Sequence, residues 1–169
     1  MVHEMNDFRI GQGIDFHRFE PGRRLVLGGV EFNEPYGLTG HSDADVVLHA
    51  VADAVLGAVG LGDIGMHFPD TDSRWKNADS RELLREVVAL ASEEGWKVGN
   101  ADVTVIGQQP KIAVHRGEME HSIADILGVS PGNVNVKATT TEAMGFLGRE
   151  EGLATLAIVM MVRNRQANR

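Results

Sequence analysis

Apolar and polar positions along the chain fall into runs of two periods. FRIGQGIDFHRF (8–19) predicts a strand interrupted by glycines, and RLVLGGVEF (24–32) predicts one or two short strands around a Gly-Gly bend. NEPYGLTG (33–40) is turn chemistry. From about Asp43 to Val59 the pattern becomes helical and is apolar on nearly every side, as in a buried helix, and LGDIG ends it. A long polar loop follows over 62–78. The next helix starts after Asp79, where Glu82 completes an Asp-x-x-Glu capping box, and Gly95 is placed to stop it. Residues 97–107 read as a strand, and 111–128 as a helix closed by Gly128 with Pro131 beyond it. NVNVKAT (133–139) alternates as a strand, 139–152 is a second rich loop with one helical turn, and LATLAIVMMV (153–162) is a final buried strand. RNRQANR (163–169) is a polar tail.

No repeat, low-complexity segment or linker interrupts this pattern. It predicts one domain over 1–162 of α+β class, an α/β sandwich. Its mixed four-stranded sheet would carry three longer helices packed mainly on one face, with a short accessory β-hairpin.

Composition narrows the partners. The net charge of −8 argues against non-specific nucleic-acid or anionic-membrane binding, which need a basic face. An anionic small molecule would need metal ions, backbone N–H groups or a few placed Lys and Arg. The chain has no cysteine, so disulfides and thiolate metal sites are excluded, and any metal must sit on His, Asp or Glu. MVHEMNDFRI lacks the apolar stretch of a signal peptide, and no apolar run is long enough to span a bilayer as a helix. The expected location is the cytoplasm.

Candidate chemistry concentrates in GHSDADVVLHA (40–50). On a helix, Asp45, His49 and Asp53 share one face. In a buried helix such a stripe needs partners, either one another, as an Asp–His–Asp ladder, or a ligand. A second segment favours the ligand. In GIDFH, Asp15 and His17 stand two apart on a strand and point to the same side. One Asp and two His drawn from a strand and a helix make three ligands of a tetrahedral zinc, with a fourth position open to water or an anion. His41, beside Ser42 at the helix entrance, is placed to donate to an anion at the helix N-terminus.

These segments, with LGGV, LGDIGMHFPDTD, ADSRELL, NADVTVIGQQPK, NVKATTTEAMGF and GREEG, resemble the 2-C-methyl-D-erythritol 2,4-cyclodiphosphate synthase family from about residue 9 to 160. The resemblance implies a phosphorus–oxygen lyase of the non-mevalonate isoprenoid pathway. The 2-phosphate of 4-diphosphocytidyl-2-C-methyl-D-erythritol 2-phosphate attacks the β-phosphorus, CMP leaves and a cyclic diphosphate closes. It further implies zinc on Asp15, His17 and His49, and a second divalent ion, Mg²⁺ or Mn²⁺, on Glu142. His41 and Thr140 take catalytic roles in stabilising the transition state.

In the same resemblance Phe16 and Ser42 bind substrate, and Asp63, Ile64 and Gly65, with Phe68, Pro69, Asp70, Thr71 and Asp72, hold the methylerythritol phosphate. There Asp63 would bond sugar hydroxyls, and the amides of 68–72 would do much of the rest. The loop of Gly107, Gln108, Gln109, Pro110, Lys111, Ile112 and Ala113 holds the cytosine, with Lys111 near a phosphate. Thr139, Thr140 and Thr141 contact phosphates, although Thr139 and Glu142 also read as a plain capping box. Phe146 and Arg149 fall near the threefold centre and the nucleotide; otherwise Phe146 is core and Arg149 pairs with Glu150 or Glu151. The family forms homotrimers with active sites between subunits, and a central cavity able to hold an isoprenoid diphosphate, for which Arg149 is the residue to test. Gln12, Gly107 and Glu150 depart from the family pattern without removing a metal ligand. Two other functions use the same parts: a zinc-dependent phosphodiesterase or phosphatase, and a non-catalytic zinc-stabilised trimeric binding module.

Overall fold

The computed structural model describes residues 8–164; residues 1–7 and the part of the expected tail at 165–169 lie outside the described residues. The elements are β1 (Phe8–Pro21), β2 (Leu25–Leu27), β3 (Val30–Phe32), β4 (Tyr36–Leu38), α1 (Val46–Val59), α2 (Ile64–His67) and α3 (Ser80–Glu93). They continue with β5 (Trp96–Ile106), α4 (Arg116–Leu127), β6 (Val134–Thr139), α5 (Gly145–Gly148) and β7 (Gly152–Arg163). The sheet order is β4-β1-β7-β5-β6, with β5 and β6 parallel and the other pairs antiparallel. β2 and β3 form the separate hairpin.

The four expected strands are present, and β4 extends the sheet to five. It hides within turn-rich NEPYGLTG because three residues carry little pattern, and Gly37 sits against the Arg24 carbonyl, where a Cβ would lie 2.2 Å away. β7 also runs one residue past the expected boundary of the tail. Its last residue, Arg163, places its guanidinium 4.1 Å from the Trp96 ring centroid. The polar loop 62–78 contains α2 and a 3₁₀ turn at Ser73–Trp75. The helix expected over 111–128 begins as a separate 3₁₀ turn, Ile112–Val114, before α4. No helix among the described residues is long and apolar enough to cross a membrane.

α1 lies directly on β1 and β7 and packs against α3. Eleven of its fourteen residues are buried, as its all-round apolar sequence requires. The close approach depends on two glycines of β1. A Cβ on Gly11 would lie 1.8 Å from the Ala54 carbonyl oxygen, and one on Gly13 would lie 1.9 Å from that of Ala50. The helix backbone therefore rests on the strand backbone, and the residues that follow in β1 come within reach of α1. The opposite face of the sheet is bare and apolar, with Ile10, Ile14, Phe16 and Ile158 each at least 43% exposed.

Asp45 fixes the start of α1. It is fully buried, and its carboxylate accepts the amides of Gly28 and Gly29 in the β2–β3 turn and of Val47 and Leu48 in the first helical turn, at 2.7–3.1 Å. Burial pushes this carboxyl up to about 6; the Gly29, Leu48 and Gly28 amides oppose that, and the Asp43 charge adds to it. Asp45→Asn puts an NH₂ against at least one of these four donors. It should cost about 1–3 kcal/mol, read as a melting temperature lower by roughly 2–4 °C per kcal/mol. An unchanged melting temperature at neutral pH would remove Asp45 from this role.

Candidate active site

The stripe expected along α1 does not form an Asp–His–Asp ladder. Asp45 is spent on the helix start, and Asp53 accepts the Ile64 amide at 2.7 Å, tying α2 to α1. Burial raises the Asp53 pKa, the Ile64 amide opposing it. His49 turns instead toward β1. Its Nδ1 is 3.1 Å from Asp15 Oδ2 and 3.2 Å from His17 Nε2, and that nitrogen is 2.9 Å from the same carboxylate oxygen. Asp15, His17 and His49 are the one cluster among the described residues whose donor atoms converge as a metal site would require, within 4.8 Å of one another.

The chemistry of these donors fits a small cation. His17 Nδ1 lies 2.6 Å from the Thr39 carbonyl oxygen, to which it donates its proton, so Nε2 is the nitrogen left to ligate in the cluster. Around a tetrahedral zinc, ligand bonds of about 2.0–2.1 Å separate neighbouring donors by about 3.3 Å, close to the spacings found. Burial alone would raise the Asp15 pKa, but hydrogen bonds and charge from His17 and His49 hold the carboxyl well below the usual carboxylate range. Burial likewise lowers the His17 pKa, but Asp15 outweighs it and raises it.

The cluster opens into a cavity of about 170 Å³ lined by His17, His41, Ser42, His49, Ile64, Phe68, Trp75 and Leu83. His41 thus joins the cluster, though not by the expected route. The N-terminus of α1 is five residues further on and already capped by the buried Asp45, so it offers no anion site; His41 Nε2 instead meets the Asp72 carbonyl at 3.3 Å. Asp63 caps α2 by accepting the Met66 amide. Phe68 and Asp72 spend their amides inside the loop, on Ile64 and Pro69, so that loop offers a ligand fewer donors than expected. Asp72 forms an ion pair with Arg74, whose hydrogen bond lowers the Asp72 pKa.

A second cavity, of about 310 Å³, lies at the ends of β5 and β6. Residues 107–113 line it with Val105, Val114, Arg116, Ala138, Thr139, Thr140 and Leu153. Gly107 donates its amide to Thr139, and Gln108 Nε2 reaches Thr141 Oγ1 at 3.4 Å. No capping box forms at Thr139. Thr140 Oγ1 donates to Glu142 and Thr141 Oγ1 to the Met144 carbonyl, while Glu142 and Ala143 both take positive φ, which no helix start allows. Asp79 similarly caps Arg81, but Glu82 turns to Arg85 rather than completing its box.

Phe146 is half exposed, with its ring centroid 6.2 Å from that of Phe16, so it is not core. Arg149 pairs with Glu151 at 2.8 Å, and Glu150 accepts from Gln109. At Gly107 a Cβ would meet a methyl of Leu153 at 2.3 Å, so the glycine leaves room for that side chain. The two cavities share no lining residue.

Sequence reasoning missed Trp75 and Leu83 in the cavity wall, and Ser80 beside His49. Ser80 Oγ is 2.9 Å from His49 Nε2. Its signal lies in ADSRELL, a helix start and a family motif that by itself assigns Ser80 no role at the site.

The chain matches the model of the YgbB family over residues 8–162. It is 58% identical over 154 residues to the 2-C-methyl-D-erythritol 2,4-cyclodiphosphate synthase of Pseudomonas aeruginosa, covering 91% of this chain and 98% of that one. It is 63% identical over 153 residues to the bifunctional enzyme IspD/IspF of Anaeromyxobacter dehalogenans, covering 90% of this chain but spanning 39% of that protein's length. The CDP complex of IspF from Plasmodium falciparum superposes with a TM-score of 0.83 at 32% identity, covering 96% of this chain and 100% of that one.

Proposed function

The chain belongs to the YgbB family, alongside 2-C-methyl-D-erythritol 2,4-cyclodiphosphate synthases, and on that premise we propose how its residues divide the work of their reaction. The chain forms 2-C-methyl-D-erythritol 2,4-cyclodiphosphate and CMP in the non-mevalonate isoprenoid pathway. An oxygen of the 2-phosphate attacks the β-phosphorus, the bond from that phosphorus to the oxygen bridging to the α-phosphate breaks, and CMP carries the bridging oxygen away. No water enters.

The observation that carries the assignment is the convergence of Asp15, His17 and His49 on a cavity walled by Ile64, Phe68, Trp75 and Leu83. These three residues would hold zinc, and Glu142 a second divalent ion, Mg²⁺ or Mn²⁺. Bound there, the ions supply Lewis-acid neutralisation of the diphosphate charge. The apolar wall keeps water from the β-phosphorus. His41, on the same cavity, donates to charge that builds on the phosphates, and Thr140 does so from the turn just after β6. Asp63, with residues 64, 65 and 68–72, orients the methylerythritol phosphate. Both phosphates belong to one substrate molecule, so the attack is intramolecular, and the site's advantage is to hold that molecule in the conformation that brings them together.

Residues 107–113 would take the cytosine. Because their cavity is separate from the metal cluster, we assign the two halves of each active site to neighbouring copies in a homotrimer. The bare apolar sheet face supports this assembly: Ile10, Ile14, Phe16 and Ile158 would be covered around a threefold axis. An isoprenoid diphosphate in the central cavity would meet Arg149.

Incubation with the cytidine substrate and divalent ions should yield cyclic diphosphate and CMP in equal amounts, read by phosphorus NMR. Release of inorganic phosphate instead would make the protein a hydrolase and overturn the assignment.

A further inference from the structure

His17 is held in its ligating orientation by a backbone carbonyl, whereas no backbone group among the described residues does this for His49. Its Nε2 meets two hydroxyls, Ser80 Oγ at 2.9 Å and Ser42 Oγ at 3.1 Å. The Ser80 hydroxyl is committed: it donates to Asp43 Oδ1 at 2.5 Å, and Asp43 Oδ2 accepts the Ser80 amide at 3.1 Å. An ionised carboxylate only accepts, so the single Ser80 proton points at Asp43 and its oxygen presents lone pairs to His49. The ring nitrogen facing that oxygen must then carry a proton. The other nitrogen, Nδ1, faces Asp15 Oδ2 and His17 Nε2, and with Nε2 committed to Ser80 it is Nδ1 that is left to ligate a cation there. Asp43 is itself fixed, accepting the Asp45 amide at 3.2 Å and donating its own amide to the Ala78 carbonyl at 3.0 Å.

We infer that Ser80 and Asp43 are positioning residues that relay a carboxylate's pull to His49, setting its tautomer and ring angle for metal ligation through Nδ1. This rests on the zinc assignment above. Ser42 does not substitute for Ser80. Its oxygen accepts the Ala44 amide, but its own proton is not committed to a carboxylate, so it accommodates either tautomer of His49. The relay joins the loop before α1 to the first residue of α3, so the metal site senses how α3 is seated. Ligands with outer partners of this kind lose roughly 10–100-fold in metal affinity when the partner is removed.

The test is zinc affinity by chelator competition, with metal-free melting temperature as the structural control. Ser80→Ala should raise the zinc Kd by roughly 10–100-fold. Asp43→Asn, which keeps an acceptor for Ser80 but removes its charge, should raise it less. In zinc-loaded protein labelled with ¹⁵N-histidine, the His49 Nε2–H signal should exchange slowly with water in the wild type and faster in Ser80→Ala. If both variants keep wild-type zinc affinity and only the metal-free melting temperature falls, Ser80 and Asp43 are a plain anchor for α3, and the relay is overturned. A zinc-loaded wild type whose His49 carries its proton on Nδ1 would overturn it without any variant. A wild type that binds no zinc would instead remove the metal assignment itself.

Discussion

Replacing His49 with alanine is expected to abolish tight zinc binding and nearly all turnover while the fold persists. The variant leaves Asp15 and His17 as two donors where the cluster offers three. The loss of affinity should exceed the roughly 10–100-fold that removal of an outer partner costs. A bound metal's charge stabilisation is worth several kcal/mol, and each 1.36 kcal/mol is tenfold in rate, so kcat/KM should fall by about a thousandfold or more. The fold should tolerate the change because the ring lies at the edge of the core. Its side chain is 14% exposed, on a helix whose seat on the sheet is made by Ala50, Ala54 and their neighbours. Metal-free wild type and variant should melt within a few degrees of each other. Metal analysis after dialysis decides the matter: one equivalent of zinc per chain in the variant would take His49 out of the ligand set.

This assignment was legible before the structure because its signals are local. Two residues apart on a strand share a face, and a lone histidine on an otherwise apolar helix needs a reason. The four long strands and the buried helix were legible for the same reason: each is several periods long. What failed to show was either too short or too distant. β4 and α2 are three and four residues long, below the length at which a pattern emerges. The Ser80–Asp43 contact spans 37 residues of chain, and no spacing rule reaches that far. Capping boxes misled at Thr139 and Asp79 because each is a local preference that a neighbour can outbid. At Thr139 the chain turns through two positive-φ residues, and at Glu82 the Arg85 guanidinium takes the carboxylate. β1 shows the deeper limit. Its large residues Ile10, Ile14 and Phe16 face outward, while Gly11 and Gly13 face the helix. Which face of a strand is buried depends on what covers it, and here the covering helix needs bare backbone.

Gly13→Ala should therefore damage the site too, although Gly13 touches no ligand and the loss stays short of that at His49. Its added methyl would fall 1.9 Å from the Ala50 carbonyl oxygen and 2.8 Å from the Ala54 amide nitrogen. Both are helix backbone atoms, so no rotamer change relieves the clash; α1 must withdraw from β1 by roughly 1 Å. His49 rides on α1, one residue before Ala50, whereas Asp15 and His17 stay on β1. Withdrawal therefore opens the 3.1 Å approach of His49 Nδ1 to Asp15, and ligation is unforgiving of such a shift. Misplacement by 1 Å costs about 10²-fold in rate, and overpacking a core costs about 1–3 kcal/mol or more. The expected result is a weaker zinc Kd, kcat/KM down about a hundredfold, and a melting temperature lower by roughly 5–10 °C. Gly57→Ala is the matched control on the same helix. Its added methyl meets nothing nearer than the Gln12 carbonyl oxygen at 3.9 Å, so it should hold zinc normally and gain about 0.5–1 kcal/mol from helix propensity. A Gly13→Ala protein that bound zinc and turned over like the wild type would show that α1 does not rest on bare strand backbone, and the geometric basis of the site would have to be redrawn.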